Sequence, residues 1–517
     1  MKPNLKFLLF SLAGLLMAQA AAAAPVGKPN IIVIMADDLG YGDVSCYGAT
    51  ALRTPAIDQL ASGGRRFTSG YSSASTCTPT RFSLLTGTYA FRQKGTGIAS
   101  PNGPSIIKPG TETLPSILRR AGYATAVIGK WHLGLGDPAP DWNGELKPGP
   151  LEIGFDHCFL LPTTNDRVPQ VLVKDRRVLN LDPADPLWVG DRKPSEDHPT
   201  GLSHRGTLKM DWSHGHNQTI HNGISRIGFY TGGNQARFRD EDLADKWVRQ
   251  ANRWIEAHQE RPFFLFFASQ DIHVPRVAHE RFQGTTALGP RGDCIAQLDW
   301  CVGELVSTID RLGLADNTLF VFCSDNGPVL DDGYKDDALE KLGSHQPAGP
   351  YRGGKYSVWE GGTRTPFITR WKGRITPGVS DEVVCTVDLA ASMAALTGQY
   401  PAADGCLDSH DVIGTLMGQP GAIGRDHLLQ QNNGGGNFGL RSGEWKLVRL
   451  TQRGKSQARV SREEIPLPSA SHSLYRLKDD PGERIDVAAA HPDVLKSLTE
   501  KLDLIIAKGR TRPAKQP

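Results

Sequence analysis

The chain has 517 residues, 39% of them hydrophobic and 22% charged, which is enough to bury the core of one large domain and a smaller one. Its 58 Lys and Arg against 55 Asp and Glu leave a formal charge of +3, too small for this length to build a nucleic-acid surface, so any affinity for anions is local. Beyond the N-terminus no stretch is long and apolar enough to span a bilayer as a helix.

Residues 1–24 read as a secretory signal peptide. Lys2 and Lys6 precede an apolar run from Phe7 to Met17, and Ala18-Gln19-Ala20 offers a small-x-small cleavage site. The run is shorter than the roughly 20 residues of a membrane span, and no Cys follows it to carry a lipid. The expectation is an exported protein, periplasmic or secreted, with no stable membrane anchor.

From Asn30 to Asp38 a β-branched run ends in two carboxylates, the pattern of a buried strand that delivers acids at its C-terminal end. Further strands are predicted at Ala124 to Ile128, Phe263 to Ala268 and Thr318 to Cys323, and helices at Ala56 to Ser62, Thr113 to Arg120, Glu241 to His258 and Cys294 to Leu312. Strands alternating with helices make an α/β sandwich with its chemistry on loops beyond the strand ends. This large domain is expected over 25–435, and a smaller α+β subdomain of antiparallel sheet plus helix over 436–517. There, GLRSGEWKLVRL from Gly439 reads as a hairpin and Pro492 to Lys508 as an amphipathic helix. Pro162 to Gly233 lacks periodicity and is expected to form long loops over the top of the sheet.

Four clusters carry chemistry. In Ser75-Thr76-Cys77-Thr78-Pro79-Thr80-Arg81, Pro79 suits a first helical turn, so residue 77 falls at a helix N-terminus that favours an anion, with the Arg81 fork nearby. Lys130 and His132 stand two apart at the end of an apolar strand, a cation and a titratable base on one side. Asp37, Asp38, Asp325 and Asn326 end two apolar strands with hard oxygen donors, and no Cys or His spacing suits zinc. His273 follows the strand Phe263 to Ala268, and Lys355 closes Tyr351-Arg352-Gly353-Gly354-Lys355. Taken singly, each has a plainer reading: a buried cysteine at a helix start, surface residues, or acidic turns.

Together they resemble the type I, formylglycine-dependent sulfatases, an arylsulfatase-like family of the alkaline phosphatase superfamily. Ser75 to Gly87 matches that family's Cys-x-Pro-x-Arg signature through Thr86-Gly87, and Gly122 to Gly134 its second signature. The likeness runs from Asn30 to the LeuTyrArgLeuLysAspAspProGlyGlu stretch, with one mild departure at Thr80, where Ser is common. It implies a large mixed β-sheet sandwiched by helices, and a maturation enzyme that oxidises Cys77 to Cα-formylglycine. Ca2+ would be held by Asp37, Asp38, Asp325, Asn326 and residue 77. The implied catalytic set is Cys77, Arg81, Lys130, His132, His273, Asp325 and Lys355. Lys130 and Lys355 would neutralise the sulfonate, His273 would protonate the departing alcohol, and His132 would take the proton that releases sulfate. Arg364 also falls in a matching segment and reads as a loop tie.

The eight cysteines include no close pair, and without Cys77 seven remain, so at least one stays a free thiol. The substrate expected is a sulfated carbohydrate. Simple aryl sulfates, or phosphate and phosphonate esters on the same architecture, are the alternatives, and a non-catalytic glycan-binding protein is the reading from another class. Sugar contacts are assigned to Asn165, Arg167 and His216 on the long loops, near Asp166 and His214; the plainer reading is a solvent-exposed Asp166–Arg167 pair and surface histidines.

Overall fold

The computed structural model describes residues 28–190, 198–451, 467–468 and 470–513; the signal peptide expected at 1–24 lies outside them. The chain opens with β1 (Asn30–Ala36), β2 (Arg65–Tyr71), β3 (Ala124–Lys130), β4 (His157–Leu161), β5 (Val173–Lys174) and β6 (Arg177–Val178). Pro162 to Gly233, expected as long loops, thus contributes β5 and β6 to the edge of the main sheet, and the remainder of its described residues is mostly loop. It holds four short strands, β7 (Trp188–Gly190), β8 (Ile220–His221), β9 (Ile224–Ser225) and β10 (Phe229–Thr231), paired β7 with β10 and β8 with β9. Then come β11 (Phe263–Ala268), β12 (Thr318–Ser324), β13 (Phe367–Arg370) and β14 (Gly378–Cys385).

One mixed sheet of ten strands results, in the order β14-β2-β13-β12-β1-β11-β3-β4-β5-β6. β1 runs parallel to both neighbours, β11 and β12, and β11 is parallel to β3. β13 is antiparallel to β12 and to β2, so β2 points the same way as the central strands. The continuous apolar run of β1 is explained by burial on both faces: Ile31, Val33 and Met35 enter one core, Ile32, Ile34 and Ala36 the other.

Helices fill both layers. α1 (Pro55–Ser62), α4 (Leu243–Ala257) and α5 (Gly289–Arg311) cover one face through Leu60, Trp247, Ile295 and Leu305. α2 (Cys77–Thr86), α3 (Leu114–Arg120) and α7 (Leu389–Leu396) cover the other through Leu84, Ile117 and Met393, with the single turns α6 (Glu360–Thr363) and α8 (Ile413–Leu416) on either side of α7 in the chain. Thr113 caps α3 by accepting the Ser116 N–H. α5 begins ahead of the expected Cys294, because Pro290 fits a first turn where its missing N–H costs nothing.

The C-terminal sheet is antiparallel: β15 (His427–Gln431), β16 (Asn437–Ser442), β17 (Trp445–Leu450) and β18 (His472–Arg476), with α9 (Pro492–Ala507) packing Leu498, Leu502 and Ile505 on it. Its first strand lies ahead of residue 436. Buried Lys446 of β17 reaches Glu360 at 2.9 Å and Glu483 at 3.3 Å, which ties this sheet to the large domain. None of the eight cysteines is bonded to another. No helix among the described residues is long and apolar enough to cross a membrane.

Candidate active site

Strand direction assembles the site. β1 ends at Asp37-Asp38, β12 at Asp325-Asn326, β3 at Lys130 with His132 just beyond, and β11 leads to His273. β2 leads through a turn to Cys77, the first residue of α2. Because these strands are parallel, residues more than 200 positions apart converge past one edge of the sheet, where α/β folds place ligands.

The Cys77 segment is fixed from several sides. Thr80 Oγ1 donates to the Ala74 carbonyl at 2.9 Å and Thr78 Oγ1 to the His132 carbonyl at 3.0 Å. Arg81, fully buried, donates from Nε and Nη2 to Asp325 Oδ2 at 3.0 and 2.8 Å and from Nη1 to the Lys130 carbonyl at 3.0 Å. Cys77 is itself buried, and that burial pushes its thiol up to about 11, so the encoded side chain is neutral and a weak nucleophile near pH 7.

Around it lie acids and cations in excess of ordinary core chemistry. Lys130 Nζ pairs with Asp37, and Lys355 Nζ with Asp38 at 2.8 Å. Burial, reinforced by Asp325, raises Asp37 to about 6 despite Lys130 and Arg81, and burial also raises Asp38. Asn326 donates to Asp38 Oδ1 at 2.7 Å, while its own Oδ1 and Asp37 Oδ1 are buried with no hydrogen-bond partner. Donor atoms of Asp37, Cys77 and Asp325 lie within 4.8 Å of one another, as do those of Asp37, Asp38 and His273. Orphaned buried oxygens among acids that burial drives toward protonation fit a hard, oxygen-seeking cation such as Ca2+.

Two buried histidines complete the inner site. Burial and the nearby Lys130 hold His132 well below the usual imidazole range; its Nε2 lies 3.4 Å from the Ala99 carbonyl, and its Nδ1 has no partner. Burial and Lys355 do the same to His273, whose Nδ1 lies 2.7 Å from the Val274 carbonyl and whose Nε2 lies 3.9 Å from Asp38.

The loop residues anticipated as sugar contacts are brought close, in a different manner from an exposed pair. Asp166 is buried, its Oδ2 3.0 Å from Arg167 Nη1 and 2.9 Å from His216 Nε2. Arg167 keeps its ionised partner because burial of Asp166 is outweighed by Arg167 and the neighbouring histidines, which hold that carboxyl well below its ordinary value. Asn165 donates to the His273 and Pro275 carbonyls at 3.3 and 3.1 Å, so its amide braces the His273 loop. His214 is exposed. Arg364 donates to the Thr68 carbonyl and Ser69 Oγ and pairs with Glu360, tying loops together.

Sequence reasoning missed Asp332, which accepts from Lys355 Nζ at 2.8 Å and from the Tyr356 hydroxyl at 3.0 Å. It follows no apolar strand, and Asp331-Asp332-Gly333 looks like any polar turn. The adjacency of Tyr356 to Lys355 was its only signal.

The family profile described as "Sulfatase" matches residues 29–399. The chain is 47% identical over 480 residues to an N-acetylgalactosamine-6-O-sulfatase of Bacteroides thetaiotaomicron, covering 92% of this chain and 93% of that one. It is 33% identical over 511 residues to human arylsulfatase A, covering 96% and 90%. A solved structure from work on the metabolism of multiple glycosaminoglycans by Bacteroides thetaiotaomicron superposes with a TM-score of 0.88 at 46% identity, over 92% of this chain and 99% of that one. The fold, the site and these relatives define a hydrolase of sulfuric esters. The chain belongs to the sulfatase family.

Proposed function

We propose that this enzyme removes an O-sulfate from a sulfated carbohydrate, with N-acetylgalactosamine 6-sulfate units as the first candidates, and that it acts with formylglycine at position 77 and Ca2+. The substrate rests on the likeness to the N-acetylgalactosamine-6-O-sulfatase over nearly the whole of both chains. The observation that carries the mechanism is the intact Ser75 to Arg81 signature at a buried helix N-terminus, with Arg81 locked to Asp325 beside Lys130. Formylglycine, when formed, supplies a hydrated aldehyde whose hydroxyl can attack sulfur. Ca2+, when held by Asp37, Asp38, Asp325 and Asn326 with residue 77, supplies positive charge at the sulfonate oxygens.

The chain's own groups do the rest. Lys130 and Lys355 place two ammonium groups against the sulfonate, where charge must be neutralised as an anionic centre is attacked. Arg81 holds the Asp325 carboxylate in place next to residue 77. His273, neutral in the empty site and charged only when the bound anionic ester offsets burial and Lys355, delivers a proton to the departing sugar oxygen, and His132, whose Nδ1 is unpartnered, takes the proton whose removal lets sulfate leave. Arg167 and His216, gathered on Asp166, and Asn165, whose Oδ1 is its remaining acceptor, stand on loops suited to reading sugar hydroxyls.

We further infer export to the periplasm or outside the cell from the leader at 1–24, and maturation by a formylglycine-generating enzyme that reads the Cys77 signature. Sulfate release from a panel of defined sulfated mono- and disaccharides, run beside an aryl sulfate and an aryl phosphate, tests the assignment. Preferential release from 6-sulfated N-acetylgalactosamine supports it. Turnover confined to the aryl esters, or faster on phosphate, refutes it.

A further inference from the structure

Asp332 belongs to none of the motifs that pointed to function, yet it touches the ammonium that pairs with Asp38, one of the cation-binding acids. Lys355 is buried, and its Nζ stands between Asp38 Oδ2 and Asp332 Oδ2 at 2.8 Å from each. Asp38 is one of the acids assigned to Ca2+. A dication drawn to Asp38 is repelled by an ammonium on the same carboxylate, and burial strengthens that repulsion. With Asp38 as its only partner, Lys355 would compete with the metal for that carboxylate.

Asp332 resolves this conflict. It offers Lys355 a second carboxylate at the same 2.8 Å, which leaves Asp38 free to turn oxygen toward the metal. The position of Asp332 is determined from several directions. The Tyr356 hydroxyl donates to its Oδ1, and Tyr356, at φ +74°, donates its backbone N–H to the Ser75 carbonyl at 2.7 Å, two residues before Cys77. Next to it, Gly333 has φ +107°, and a Cβ there would fall 1.7 Å from His216 Nδ1, so the turn is pressed against that ring. Ser213 Oγ donates to Asp331 at 2.8 Å, and Ser213 N–H to the Gly333 carbonyl at 3.0 Å.

We propose that Asp332 is the counter-ion that allows Lys355 and Ca2+ to share Asp38, a positioning residue that acts on metal binding through Lys355. This rests on the calcium reading above. The test is a double-mutant cycle with Ca2+ as the titrant, measured by calorimetry on the full-length protein: wild type, Asp332→Asn, Lys355→Met and the double variant. Unfolding midpoints in chelator establish that each variant folds. Asp332→Asn is expected to weaken Ca2+ binding about tenfold when Lys355 is present, the scale of losing a group that supports a metal ligand. In the Lys355→Met background the same change should cost less than about threefold, since only a distant charge is then lost. Equal losses in both backgrounds, or none in either, would overturn the proposal. Should Asp332→Asn not fold, Tyr356→Phe, which removes one hydrogen bond to the same carboxylate, decides: a loss of about two- to threefold supports the role and no loss overturns it. Wild-type protein that takes up no Ca2+ would defeat the calcium reading itself, whereas Ca2+ binding indifferent to Asp332 defeats only the counter-ion role.

Discussion

Arg81 and Asp325, 244 residues apart, form a fully buried two-bond pair at 3.0 and 2.8 Å, and the same guanidinium donates to the Lys130 carbonyl. The ends of β12 and β3 are thus locked to the helix that carries Cys77. Removing the guanidinium leaves a buried carboxylate without its partner, so Arg81→Gln should lower stability by about 3–5 kcal/mol in urea unfolding with metal removed. A loss under about 1 kcal/mol would mean that the pair does not hold the site together.

Active protein should carry formylglycine at position 77. The peptide spanning that residue is then about 18 Da lighter than its cysteine form, as thiol and hydrogen give way to oxygen. Fully active enzyme with only a neutral, buried thiol at position 77 would contradict the mechanism.

Metal removal should abolish turnover and lower the melting temperature, because Asp37 and Asn326 leave buried oxygens without partners. Added Ca2+ should restore both, and Asp325→Ala should be inactive at any Ca2+ concentration. Undiminished turnover in protein shown to be metal-free by elemental analysis would refute the assignment.

The loop residues should separate into two groups. Arg167→Ala and His216→Ala are expected to lower kcat/KM on the sulfated glycan at least about tenfold while changing a small aryl sulfate little, since a site that hydrogen-bonds a hydroxyl loses most with substrates that present it. Asn165→Ala should instead reduce both, because its amide braces the His273 carbonyl and the loop behind it. Parallel losses for all three variants would show that the loops support catalysis without reading the sugar.

Glu483 makes stability fall with rising pH over a defined window. Burial, with Glu360 adding to it against Lys446, raises its carboxyl to about 7. The folded state therefore keeps a proton that the unfolded chain releases near its ordinary value of about 4.5, and its contribution to stability declines as pH rises from about 4.5 through 7. Glu483→Gln should flatten that part of the stability profile in chemical denaturation at stepped pH. An unchanged slope would show that the carboxyl titrates normally.

The sequence by itself determined the central strands β1, β3, β11 and β12, because strands buried on both faces are written as unbroken apolar runs. It also singled out Cys77, Arg81, Lys130 and His132 as candidates, because a helix-start signature and the spacing past a strand end involve only neighbouring residues. β2 and β14 escaped it: the one opens on Arg65-Arg66 and the other mixes Ser380, Asp381 and Glu382 on a sheet edge, where half-burial permits charge. Only the tertiary structure decided that Asp166 is buried rather than a solvent pair, that Asn165 serves the His273 loop, and that Asp332 stands on Lys355. Each is a contact between segments remote in sequence. Such contacts follow from the order and direction of strands in the sheet, which periodicity along the chain does not encode.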